Sequence, residues 1–84
     1  VYKIVIGKSA EKELNSLPNS VLLKVNAAIL QLVNDPRPTG CKKLKGFKDL
    51  FRIRVGNYRV VYSIQDKILR IEVLKIADRK DVYK

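Results

Sequence analysis

The chain has 84 residues, 46% of them hydrophobic, a formal net charge of +10 and no histidine. That length makes a single domain, 1–84, with one modest core, and the apolar content excludes a disordered tail; no apolar run nears the roughly 20 residues that span a bilayer. The charge is uneven, with four Lys/Arg against three Asp/Glu in residues 1–35 and fourteen against five in residues 36–84, which points to a polyanionic partner.

Tyr2–Ile6 (YKIVI) is short and β-branched and reads as a first strand, ended by Gly7. Ser9 is placed to cap a helix, Glu11 suits its positive N-terminal end, and Ala10, Leu14 and Leu17 recur at helical spacing. A second helix starts around Pro18. Its stripe of Leu22, Val25, Ile29 and Leu32, widened by Val21, Ala28 and Val33, predicts one buried face. The two segments form a helical hairpin. Pro36 and Pro38 in the NDPRPTG segment stop the second helix and make a loop. CKKLKG follows as a short basic strand or extended edge.

Three strands come next, at about Leu50–Val55, Tyr58–Ile64 and Ile68–Ile76. Gly56-Asn57 and Asp66-Lys67 serve as two-residue turns. The predicted fold is α+β, β-α-α-β-β-β with the basic edge as a further strand. The N-terminal helical hairpin packs on one face of a mostly antiparallel, twisted sheet.

The first turn sets a register. It places Val55 opposite Tyr58, Arg54 opposite Arg59, Ile53 opposite Val60, Arg52 opposite Val61 and Phe51 opposite Tyr62. Phe51, Ile53, Val60 and Tyr62 then share the core face, and Arg52, Arg54 and Arg59 share the other. The second turn predicts Leu69, Ile71 and Val73 in the core, Glu72 beside Val61 and near Arg52, and Leu74 beside Arg59. Two arginines directly across a strand pair repel by a few tenths to about 1 kcal/mol. Such a face is either a solvated basic surface with screened repulsion or an anion clamp that a phosphate would relieve. The last strand ends beside Gly56-Asn57, so Arg79 and Tyr83, four apart in the tail, could add a guanidinium and a base-stacking ring.

The remaining residue types are restrictive. Without histidine and with Cys41 alone, a zinc site of the usual His/Cys kind and a His-dependent triad are excluded. No acidic cluster suggests a two-metal nuclease, and no glycine-rich phosphate loop is present. No cofactor is expected. Cys41 reads as an inert thiol, which suits a reducing, cytoplasmic location. No secretory signal opens the chain. The sequence holds no methionine and opens at Val1, so an initiator is expected to have been removed or left out of the numbering. RNA cleavage by this residue set would rest on the substrate's own 2′-OH, on orientation and on arginine charge.

The segments NDPRPTGCKKLKGFKDLFRIRVGNYRVVYSI and VLKIADRKDVY resemble the RelE/ParE superfamily of bacterial and archaeal toxins, over nearly the whole chain, with hairpin and tail closer to RelE. The resemblance implies a microbial-RNase-like fold. It implies a ribosome-dependent endoribonuclease that cuts mRNA in the A site, and an antitoxin similar to RelB, through whose complex operator DNA is bound. It assigns Arg54, Arg59, Arg79 and Tyr83 to catalysis, and Arg52, Lys42, Lys43, Lys45 and Lys48 to binding messenger and ribosomal RNA. RelE-type relatives carry lysines on the first hairpin strand where this chain has arginines, and many carry His-Arg where it has Asp78-Arg79. A gyrase inhibitor of the ParE type and a non-catalytic basic module are the alternatives on the same fold.

Overall fold

The computed structural model describes residues 1–78; residues 79–84 fall outside them. In chain order the elements are β1 (Lys3–Ile6), α1 (Lys8–Asn15), α2 (Asn19–Gln31), β2 (Lys42–Lys43), β3 (Leu50–Val55), β4 (Tyr58–Gln65) and β5 (Arg70–Asp78). The five strands form one sheet in the order β1-β5-β4-β3-β2. β1 runs parallel to β5 and every other pairing is antiparallel. Both helices pack on one face, where Ala10, Val25, Ile29 and Leu32 meet Ile53, Val60, Tyr62, Ile64, Ile71, Val73 and Ile76. The α+β fold and the one-sided core thus agree with the sequence.

The start of α1 differs from the sequence expectation. Gly7, not Ser9, is the N-cap, and no side chain caps the helix. The reason is a close approach. The Gly7 N–H donates to the Val73 carbonyl at 2.9 Å, and a Cβ on Gly7 would lie 3.1 Å from that oxygen. The chain therefore turns from β1 into α1 where glycine alone fits comfortably.

The first hairpin has the expected register, with Val55 opposite Tyr58 and Arg54 opposite Arg59. Gly56 takes φ +59 at the first central position, as a type II′ turn requires, and that turn matches the strand twist. The second connection does not follow the two-residue expectation. Asp66–Ile68 form a 3₁₀ turn and Leu69 follows at φ 51, so β5 starts only at Arg70. Two residues are thereby added to the connection, which keeps Ile71 and Val73 on the core face but puts Leu69, 49% exposed, outside it.

A further shift occurs at a bulge between Val61 and Tyr62, beyond which Val61 faces Lys75, Val60 faces Ile76 and Arg59 faces Ala77. Glu72 lies opposite Ser63, not Val61, and pairs with Arg70 at 3.8 Å. Ala77, not Leu74, is the neighbour of Arg59. Beyond Val73, where β1 has ended, α1 takes over as the neighbour of β5. The Ile76 N–H donates to a Glu13 carboxylate oxygen at 2.9 Å, and the other oxygen lies 3.7 Å from Lys75 Nζ.

Leu69 is the one non-glycine residue with positive φ among the described residues. A left-handed conformation costs an ordinary L-residue roughly 1–2 kcal/mol, and this half-exposed side chain recovers little by burial. Leu69→Gly is expected to raise stability by about 0.5–1 kcal/mol. Thermal unfolding would read this as an increase of a few degrees; a lower midpoint would show that the leucine side chain holds the turn.

Candidate nucleic-acid interface

β3 and β4 present arginines on the sheet face away from the helices because of strand alternation. Arg54 and Arg59 face one another across the pair, while Arg52 lies opposite Val61 on one side and Lys42 on the other. Their exposures differ. Arg54 is open to solvent and Arg52 half-buried, but Arg59 is only 1% exposed. Of the two readings of this face, the solvated basic surface does not hold at Arg59, whose guanidinium has surrendered its hydration to the protein around it. A charge in that position is costly to build, and its fork is held in place before any ligand arrives.

Arg54, Gly56, Asn57 and Arg59 line a recess of about 60 Å³, the scale of a phosphate group rather than a nucleoside. Two guanidiniums supply planar donors, and the tight turn closes the end. Arginine stays charged throughout the physiological range.

The basic residues of the β2 segment divide. Lys42 joins Arg52 across the strand pair, whereas Lys43 lies opposite Phe51, a core-face position. Lys45 and Lys48 are exposed in the loop before β3. Lys48 lines a recess of about 440 Å³ with Ile64 and Asp66 at the far end of the hairpin, so it is not gathered to the arginines. Arg79 and Tyr83 lie outside the described residues. Among those described, no group of three or more His, Cys, Asp or Glu could hold a metal ion, and no helix is long and apolar enough to cross a membrane.

The NDPRPTG loop has a structural task that the sequence did not reveal. Arg37 places two nitrogens on the Asp66 carboxylate, at 2.9 and 3.4 Å, and Tyr2 donates its hydroxyl to the same carboxylate at 2.6 Å. Arg37 also lies 5.1 Å from the Phe51 ring centroid, a cation–π distance. The Tyr62 hydroxyl donates to the Pro36 carbonyl at 2.8 Å. The loop is therefore latched to the sheet side of the molecule at Pro36 and Arg37.

Hydrogen bonds from Arg37, then from Tyr2, hold the Asp66 carboxyl below its ordinary value of 3.8. A depressed carboxylate stabilises the folded state above the unfolded-state pKa and loses that contribution as pH falls through the folded-state value. Asp66→Asn is expected to lower the melting temperature at pH 7. The gap to the native chain should close as pH falls below 3.8; a gap that stays constant with pH would show that the charge is immaterial.

The family described as "ParE toxin of type II toxin-antitoxin system, parDE" matches residues 4–83. Toxin RelE of Mycobacterium tuberculosis is 33% identical over 99% of this chain and 87% of its own. The toxin in the crystal structure of the archaeal RelE-RelB complex from Pyrococcus horikoshii OT3 superposes with a TM-score of 0.83 at 35% identity, covering 93% of this chain and 94% of that one. The isolated E. coli RelE toxin gives 0.83 at 25% identity, covering 99% and 92%. With family match, identity and fold in agreement over nearly its full length, the chain belongs to the RelE/ParE superfamily of toxins of type II toxin–antitoxin systems.

Proposed function

We propose that the protein is a RelE-type, ribosome-dependent endoribonuclease that cuts mRNA in the A site, works in the cytoplasm and is neutralised by an antitoxin similar to RelB. The observation that carries this reading is the phosphate-sized recess lined by Arg54 and Arg59, which face one another across a strand pair beside a tight turn. The antitoxin partner is supported by the structural relatives, which include RelE–RelB complexes.

In the proposed reaction the 2′ oxygen attacks the adjacent phosphorus and the bond from phosphorus to the 5′ oxygen breaks. The 2′-OH proton leaves, the 5′ oxygen gains a proton, and the products are a 2′,3′-cyclic phosphate and a 5′-OH. Arg59 and Arg79 stabilise charge on the phosphorane oxygens. Arg54 and Arg52 position the phosphate, Tyr83 stacks on the nucleotide, and Lys42, Lys43, Lys45 and Lys48 contact ribosomal RNA. Arginine is a poor general base, so this site contributes chiefly orientation and charge, and the ribosome holds the substrate in line.

The ParE name of the matching family favours a second reading, a gyrase inhibitor without RNase activity. Mapping mRNA ends after adding the protein to translating ribosomes decides between them. Cuts in codon register support the RNase; intact mRNA with stalled gyrase overturns it.

A further inference from the structure

β2 pairs with β3 only at Phe51 and Arg52, so among the described residues the edge of β3 from Ile53 onward has no strand against it. A recess of about 200 Å³ opens there, between α2, the loop before β2 and β3. We propose that it is a nucleobase pocket that gives the protein a base preference, an inference that rests on reading the neighbouring arginine recess as a site for RNA phosphate.

Three observations support this. Ala28, Pro38 and Ile53 supply apolar wall, suited to the flat face of a base. Gln31 and Thr39 stand in the same lining, and neither side chain is engaged in a hydrogen bond among the described residues. Glutamine offers a donor and an acceptor side by side, the pattern that pairs with a base edge, and threonine adds a hydroxyl that can do either. Finally, Arg54 lines both this recess and the phosphate-sized one. One guanidinium thus bounds a phosphate compartment and a base compartment, and its plane is itself a stacking surface for a base. Among the described residues no carboxylate lines either recess.

The inference is tested on the whole, ¹⁵N-labelled chain titrated with inorganic phosphate and with dinucleoside monophosphates carrying each of the four bases. Phosphate is expected to shift the amide signals of Gly56 and Asn57 alone. The dinucleotides are expected to shift these together with Thr39, Gly40 and the Gln31 side-chain amide, with affinities spread about tenfold among the bases. Gln31→Ala and Thr39→Val should compress that spread to about twofold while phosphate binding stays unchanged. Dinucleotides that leave the Thr39–Gly40 signals unmoved, or a spread that both variants retain, would overturn the pocket. Intact mRNA in the ribosome assay would overturn the RNase reading without touching this titration, so the two fail separately.

Discussion

Arg59→Ala is expected to lower mRNA cleavage on ribosomes by roughly 10²–10³-fold, the usual loss when one preorganised donor is removed from a developing anion. The residue is buried, lines the recess and is placed by the hairpin register opposite Arg54. Arg59→Lys keeps the charge and loses the bidentate geometry; it should fall between the native chain and the alanine variant. Because truncation removes a buried side chain, denaturant unfolding of the alanine variant is the check that the chain still folds cooperatively. A cooperatively folded Arg59→Ala chain that still arrests growth fully would remove this residue from the mechanism.

The largest expected effect on stability is at Tyr62. Its side chain is fully buried, stacked on Phe51 with ring centroids 6.2 Å apart. Burial raises the phenol pKa, so the hydroxyl stays protonated and keeps donating to the Pro36 carbonyl at neutral pH. Tyr62→Phe removes only that hydrogen bond, and its cost is about 1 kcal/mol. Tyr62→Ala also empties the ring's space, for about 3–5 kcal/mol. A domain of this length has a total stability of roughly 4–13 kcal/mol, so the alanine variant should be marginally folded at best. Denaturant titration of both variants separates ring from hydroxyl. Equal losses would mean that the loop contact, not the packing, carries the site.

The contrast between the two hairpins shows what was legible in the sequence. Gly56-Asn57 states its own geometry, because a glycine at positive φ and a two-residue loop leave one register, and the pairing of Arg54 with Arg59 follows. Asp66-Lys67 carries no such constraint. The chain there takes a 3₁₀ turn with a strained Leu69, and the bulge at Val61/Tyr62 adds one more step. Local patterning cannot count those extra residues, so Glu72 and Leu74 were misplaced although Ile71 and Val73 were not. The burial of Arg59 was hidden for a related reason: alternation assigns a face but not what covers it. The Arg37–Asp66–Tyr2 latch joins residues 29 and 64 positions apart, beyond any periodicity.

The parallel pairing of β1 with β5 has a consequence for synthesis. Of the five strands of this sheet β1 is made first, and its only strand neighbour among the described residues is β5, the last of them. At about 5–20 residues per second, β1 waits several seconds for it. The central hairpin can form in that interval, but the sheet cannot be completed, and closing so long a loop slows the final step. Arg59 gains its β5 neighbour, Ala77, only then. The hairpin thus sets Arg54 against Arg59 early, while the strand that flanks Arg59 on its other side is the last of the sheet to be made.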